Sequence, residues 1–154
     1  MHGTEVSHNA PLIGRIDNFV AINSALEVDL TGQINAETLN GVQLSGVGGQ
    51  FDFVDAAYFS RGGKSITALT SSAAKGTISR IVSRLPAGAI ATIPRYMTDF
   101  VVTEYGVACL RGKSATSRAE ALISIAHPDF RDSLWEEFSR GRNKPSSGSK
   151  REKS

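Results

Sequence analysis

The sequence predicts an α/β domain, and three observations carry that prediction. Short runs of β-branched and apolar residues alternate with stretches whose apolar residues recur at helical spacing, the pattern of strands and helices packed in layers. The 154 residues, 40% of them hydrophobic, fit one domain long enough to bury a core without covalent staples. The 15 glycines fall mostly between positions 32 and 112, where they mark tight turns or backbone close to a ligand.

Residues 1–15 show no clear periodicity. From Phe19 the string FVAINSALEVDL reads as strand, Thr31-Gly32 as a turn and QINAE as the return, giving two strands about residues 30–33. LNGVQLSGVGGQ reads mostly as loop. Residues 51–60, FDFVDAAYFS, place apolar side chains at 51, 53, 54, 57 and 58 and predict a short helix, stopped by Gly62-Gly63. KSITALT is a short buried strand and TSSAAKGT a polar loop. ISRIVSRL fits a strand or an irregular extended segment. Pro86-Ala87-Gly88 is a turn, and AIATIP is a strand ended by Pro94. Residues 100–103 form a clear strand, with a break at Gly106. SATSRAEALISIAH is a helix capped by Ser114 or Ser117, the latter at capping-box spacing from Glu120. His127-Pro128 ends it, with His127 in a structural capping role. A second helix follows with Pro128 at an early position; Phe130, Leu134 and Phe138 share its apolar face, and Trp135 is expected in the core.

The net charge of +2 conceals an asymmetry. Residues 139–154 hold six Lys/Arg and one acid, so residues 1–138 carry 11 bases against 14 acids. The basic charge therefore belongs to a polar tail, which cannot bury apolar surface and is expected to be disordered. A nucleic-acid partner is disfavoured, having only that tail behind it. No apolar run approaches the ~20 residues that span a bilayer, and the N-terminus lacks the apolar stretch of a secretory signal, so no membrane partner is expected. One cysteine, Cys109, excludes an intramolecular disulfide and suits a reducing compartment, taken as the cytoplasm. Cys109 lies among apolar residues and is expected to be buried rather than reactive.

Several motifs fail on inspection. Gly62-Gly63-Lys64-Ser65 and Gly112-Lys113-Ser114 end like phosphate-binding loops, but Tyr58 and Val107 stand where each needs an earlier glycine. Gly46-Val47-Gly48-Gly49-Gln50-Phe51 is not the dinucleotide fingerprint, because Phe51 holds its third glycine position. An NTPase or a dinucleotide-dependent dehydrogenase is thereby disfavoured. His2, His8 and His127 have no paired spacing and Cys109 has no CxxC partner, so no metal site is expected.

Other residues keep two readings. The GVGGQ string precedes a helix and could aim backbone N–H groups at an anion or a developing oxyanion; the alternative is an ordinary tight loop. Glu104 follows an apolar strand, at the sheet edge where α/β proteins place ligands, as a base, nucleophile or hydrogen-bond anchor; the alternative is a solvated strand-end acid. Asn23 needs a hydrogen-bond partner if buried, from protein or ligand. Lys75, Arg111 and Lys113 could meet an acidic ligand or stand solvated.

Together, INSALEVDLTGQINAE, SGVGGQFDFVDAA, GGKSITAL, KGTISRIV, VVTEYGVACLRGKS and ALISIAHPDFRDSL resemble the C-terminal domain of the acetyl-CoA hydrolase/transferase family, the family I CoA-transferases of the 4-hydroxybutyrate CoA-transferase kind. The resemblance covers residues 11–138, after a lead-in of residues 1–10 and before the tail of residues 139–154. It implies one CoA-transferase-type (NagB/RpiA/CoA-transferase-like) domain, with a mixed, largely parallel sheet flanked by helices. It implies chemistry that moves CoA between an acyl-CoA and a small carboxylate, acetate among them, or hydrolyses the thioester. An active-site glutamate becomes a glutamyl-CoA thioester on the way.

By match, Gly46, Val47, Gly48, Gly49 and Gln50 lie in the oxyanion and CoA-binding region. Asn23 and Glu104 fall at supporting positions near the active site, and Lys75 near the CoA phosphates. Arg111 and Lys113 are further carry-overs to CoA binding. CoA is expected as substrate, with no permanently bound cofactor. The family's nucleophilic glutamate lies N-terminal to anything matched here. The sequence therefore leaves open whether the chain alone is an enzyme, and implies an N-terminal half-domain as partner, or self-association through an exposed apolar patch. A non-catalytic CoA-binding or interaction module, or the remnant of a truncated gene, is the alternative. Departures from the family pattern are Thr70 and Ser72 in TSSAAKG, Cys109, and Tyr96-Met97.

Overall fold

The structure, a computed structural model, describes Gly3 and residues 7–142. In chain order the elements are α1 (Ala10–Ile13), β1 (Val20–Ser24), β2 (Glu27–Asp29), β3 (Ile34–Asn35), β4 (Thr38–Leu39), β5 (Val42–Gln43) and α2 (Gln50–Phe59). Then come β6 (Lys64–Ala68), β7 (Ser72–Ala73), a 3-10 turn (Ala74–Gly76), β8 (Ile78–Ser79), β9 (Ile81–Val82), β10 (Phe100–Thr103), β11 (Gly106–Cys109), α3 (Ala115–Ser124) and α4 (Pro128–Arg142).

The main sheet has the order β1-β6-β10-β11. β1, β6 and β10 are parallel, and β11 returns antiparallel along β10. This is the mixed, largely parallel sheet the resemblance implied. Side chains alternate across it. Ala21, Ser65, Thr67, Val101 and Ala108 point to one face and are all buried. Against that face the core gathers Val54 of α2, Ala119 and Leu122 of α3, Leu134 of α4, and Val28, Ile34 and Ile81 of a second sheet ordered β3-β2-β9.

Two buried polar residues hold the second sheet and the excursion beyond it. The Asp29 carboxylate accepts from Thr31 N–H (2.9 Å), Thr31 Oγ1 (2.6 Å), Gln33 N–H (3.0 Å) and Gln33 Nε2 (2.8 Å), closing the β2–β3 turn. Gly32 in that turn has φ +94°, and a Cβ there would meet Arg118 Nη1 at 2.9 Å. Asn35, wholly buried, accepts from Glu37 N–H, Thr38 N–H and Thr38 Oγ1, and donates to Glu27 and to the Thr38 carbonyl. It turns the chain out of β3 toward residues 46–50.

Most of the predicted elements are present. The β2–β3 pair, α2, β6, β10, α3 and α4 stand within a few residues of expectation. Six details differ. The stretch read as loop contains the β4–β5 hairpin, closed by Asn40 (φ 52°) and Gly41 (φ 76°). Gly106 begins β11 rather than ending a strand. AIATIP forms no strand, only a bridge between Ile34 and Ile93, because Thr92 Oγ1 takes the Ala36 N–H and donates to Glu37. Of the two expected cap residues, Ser114 is the one that caps α3, by accepting from Ser117 N–H. Trp135 is 44% exposed, stacked beside Phe138 at the rim of the core-facing stripe. α4 runs on through residues 139–142, where the sequence predicts tail; residues 143–154 lie outside the described residues.

Replacing Asp29 with Ala strips four donors of their acceptor in a buried turn. A loss of about 3 kcal/mol in urea unfolding is expected, within the range for hydrogen bonds to a charged group. A loss below about 0.5 kcal/mol would show that packing alone holds the turn.

Candidate active site

Parallel strands in register end together. Asn23 lies opposite Thr67 and Ser24 opposite Ala68, while Val102 also lies opposite Ala68. The segments leaving β1, β6 and β10 therefore emerge at one edge, the place where open α/β sheets bind ligands.

Glu104 leaves β10 at this edge. One of its carboxylate oxygens accepts from Ser71 N–H (2.9 Å) and the other from Ser71 Oγ (2.6 Å). Ser71 follows β6 and is fully buried. These bonds, Ser71 Oγ above all, hold the Glu104 carboxyl below its ordinary value, against a smaller opposing push from burial. Glu104 thus ties the end of β10 to the base of the β7–β8 loop.

That loop carries Lys75. Ala74 (φ 48°), Lys75 (φ 59°) and Gly76 (φ 88°) are all left-handed, a conformation that costs a non-glycine residue about 1–2 kcal/mol. The Lys75 residue is exposed at the tip.

Gln50, the first residue of α2, reaches the carboxyl end of β1, where its Nε2 donates to the Ser24 carbonyl at 3.4 Å. This brings the Gly46, Val47, Gly48, Gly49 and Gln50 loop to the same edge. Gly49 is the N-cap of α2 and has no side-chain cap bond. A Cβ on it would strike the His8 ring, which packs 5.1 Å from Phe53. Gly48 has φ +58°. Gly46 and Gly48 face open space, and Val47 is 44% exposed. Near the carboxyl end of β1, the buried Nδ2 of Asn23 has no hydrogen-bond partner, a costly state for a buried amide.

Arg111 and Lys113 stand elsewhere. β11 runs back along β10, so residues after Cys109 emerge at the opposite, amino edge. There Arg111 pairs with buried Asp99 (3.3 Å) and lies over the Tyr58 ring (5.6 Å). The Lys113 carbonyl accepts from Arg118 Nε at 3.4 Å, and its residue is exposed. A cavity of 370 Å³ lies along α4, lined by Thr31, Arg84, Ala115 and Glu137 among others, apart from the carboxyl edge. His127 sits beyond Glu104 as expected of a cap: its Nδ1 faces Asp129 N–H at 3.4 Å. Cys109 is half-buried in β11. Among the described residues no three His, Cys, Asp or Glu side chains group to hold a metal. No described helix is long and apolar enough to cross a membrane. Ser71 was not singled out from the sequence; its signal was the polar run TSS directly after the apolar strand.

The family model for the acetyl-CoA hydrolase/transferase C-terminal domain matches residues 1–138. The chain belongs to this family. It is 50% identical over 137 residues to the 4-hydroxybutyrate coenzyme A transferase of Clostridium kluyveri, covering 89% of this chain and 32% of that protein. It is 53% identical over 125 residues to the butyryl-CoA:acetate CoA-transferase of Anaerostipes caccae, covering 79% of this chain and 28% of that one. The 4-hydroxybutyrate CoA-transferase structure from Porphyromonas gingivalis superposes with TM-score 0.71 at 48% identity, over 87% of this chain and 30% of that one. RipA from Yersinia pestis superposes with TM-score 0.76 at 44% identity, over 88% and 29%. The chain thus spans about a third of the length of these relatives.

The Ser71–Glu104 bonds set a pH signature. A carboxyl with a depressed pKa stabilises the fold fully above its unfolded value and loses that contribution as pH falls through the folded one. In a carboxyl-carbon NMR titration Glu104 is expected to titrate below 4.5, its ordinary value, and Ser71→Ala to move its midpoint upward. A midpoint unmoved by Ser71→Ala would show that this hydroxyl does not govern the carboxylate.

Proposed function

We propose that this chain is the CoA-binding C-terminal portion of an acetyl-CoA hydrolase or CoA-transferase, and that the glutamate nucleophile comes from polypeptide outside these residues. The observation that carries the reading is the state of Glu104. Each of its oxygens accepts a hydrogen bond from Ser71 and its pKa is lowered, so the carboxylate is a weak base held in place as an anchor. It serves to position the β7–β8 loop. Around it the carboxyl edge offers groups that the fold leaves unused: the unsatisfied Asn23 amide and the open glycine loop at the start of α2.

In this reading the incoming glutamate attacks the thioester carbonyl and the CoA thiolate leaves. The thiolate then attacks the glutamyl carbonyl, releasing the acyl group as a carboxylate and leaving a glutamyl-CoA thioester. A second carboxylate reverses these steps to complete transfer; water ends them in hydrolysis. Backbone N–H groups of Gly48 and Gly49 stabilise the tetrahedral oxyanion, helped by the N-terminus of α2. Asn23 Nδ2 positions the nucleophile or the thioester. Lys75, on its strained loop, meets a CoA phosphate. Arg111 holds Asp99 and Tyr58 and is given no CoA role, and Lys113 is likewise set aside on its position. Acetate is a natural acceptor class, since it appears in the name of the Anaerostipes caccae relative. The single cysteine makes the reducing cytoplasm the proposed compartment.

The test is mass spectrometry after incubation with acetyl-CoA. The folded isolated chain is expected to form no glutamyl-CoA adduct. A chimera in which it replaces the matching third of the Clostridium kluyveri relative is expected to form one, on a glutamate outside these 154 residues. An adduct on Glu104 of the isolated chain would overturn the assignment.

A further inference from the structure

Arg80 is a second polar group that the fold leaves incompletely used. It stands between β8 and β9, and its backbone is tied on both sides. Its N–H donates to the Ser71 carbonyl at 2.9 Å, and its carbonyl accepts from Val28 N–H at 2.9 Å. Its Nη1 donates to the Leu26 carbonyl at 2.9 Å. Ser71 lies just beyond β6 and Leu26 just beyond β1, so the half-buried side chain bridges the segments that leave those strands at the carboxyl edge. Its buried Nε has no hydrogen-bond partner. Among the described residues no carboxylate forms a salt bridge with it; Glu27 accepts from Asn35, and Glu104 from Ser71. Asn23 Nδ2 and Arg80 Nε are the two buried side-chain polar atoms left unpaired among the described residues. Both are donors, and both belong to this edge. A half-buried cation with no counter-charge is a costly state that an anion relieves.

We propose that Arg80 receives the carboxylate of the free acid, the acceptor in transfer, an inference that rests on the function proposed above. A guanidinium presents its N–H groups as a planar fork that matches a carboxylate. The fold keeps it away from the phosphate end. The Ser72–Ser79 and Ala73–Ile78 pairs of the β7–β8 hairpin lie between Arg80 at the base and Lys75 at the tip. The nucleophilic glutamate is a poor occupant, because a cation paired with it would stabilise the very anion that has to attack. The free acid gains: it leaves as a carboxylate and returns as one, so a cation beside it holds the acid at the reacting end and gives water no such advantage. In that step an acetate oxygen attacks the glutamyl thioester carbonyl and the CoA thiolate leaves. The thiolate then attacks the acetyl carbonyl of the anhydride, giving acetyl-CoA and the free glutamate. Arg80 thereby favours transfer over hydrolysis.

The test loads the chimera with acetyl-CoA to form glutamyl-CoA, removes small molecules, and then adds sodium acetate or buffer alone. Arg80→Met is expected to slow acetate-dependent discharge at least about tenfold and to leave discharge to water within about twofold. Arg80→Lys, which keeps the charge without the fork, is expected to slow acetate discharge by less. KM for acetyl-CoA is expected to stay unchanged in both. Acetate discharge at the unsubstituted rate in Arg80→Met would overturn the proposal. So would equal slowing of both discharges, the mark of a side chain that only holds the Leu26 carbonyl. A raised KM for acetyl-CoA with acetate discharge unchanged would assign Arg80 to a CoA phosphate instead. In the isolated chain, the Arg80 Nε–Hε NMR signal is expected to move saturably with sodium acetate and to stay still in sodium chloride at equal ionic strength. A signal that ignores acetate would overturn the proposal even where the chimera forms no adduct. A chimera without adduct, beside an Arg80 signal that follows acetate, counts against the CoA reading alone.

Discussion

β6 is hydrogen-bonded to a parallel neighbour on each side, and the site depends on that constraint. Because β1 and β10 both pair with it in fixed register, their carboxyl ends stop at one level. A one-residue slip would exchange the faces of a strand. It would send the Asn23 amide to the opposite face and move Glu104 relative to Ser71. Small side chains on β6, Ser65 and Thr67, lie on its packed face. Gly63 just before it leaves no room for a Cβ against the Ala57 carbonyl at the end of α2. Helix position, strand register and the placement of the GVGGQ loop are therefore one packing solution.

The electrostatics of the edge divide labour. A carboxylate used as a hydrogen-bond anchor differs from one used as a nucleophile: the first is stabilised as an anion, the second is left unsatisfied and reactive. Glu104 is of the first kind. Its bonds to Ser71 fix the base of a loop whose tip keeps three consecutive left-handed residues, a strained arrangement of the sort that collects at functional sites. The Asn23 amide and the glycine loop are of the opposite kind, polar groups not consumed by the chain's own fold. A site with donors to spare and Glu104 already committed to Ser71 suits a nucleophile from outside.

Much of this was legible in the sequence, for physical reasons. α2, α3 and α4 show helical periodicity, and β6 and β10 are short apolar runs, so their types follow from pattern alone. The string GVGGQ marked the loop because so many glycines in sequence have few other uses. What escaped depended on partners distant in sequence. AIATIP has strand composition, but Thr92 bonds with its side chain to Ala36 and Glu37. Trp135 has helical spacing near the core, but the stripe of Phe130, Leu134 and Phe138 already fills it. Arg111 and Lys113 read as neighbours of a helix start, and only the antiparallel return of β11 shows that they face the other edge. Asn40-Gly41 was a readable signal, a hairpin pair inside a stretch taken as loop.

The measurement that tests the central claim most directly is a CoA titration of the folded chain followed by amide NMR. The account predicts that the largest shifts fall on residues 46–50, Asn23 and the segment 71–76, all at the carboxyl edge. Arg111, Lys113 and the lining of the cavity along α4 should stay still. Shifts concentrated at those latter groups, or none at millimolar CoA, would contradict it.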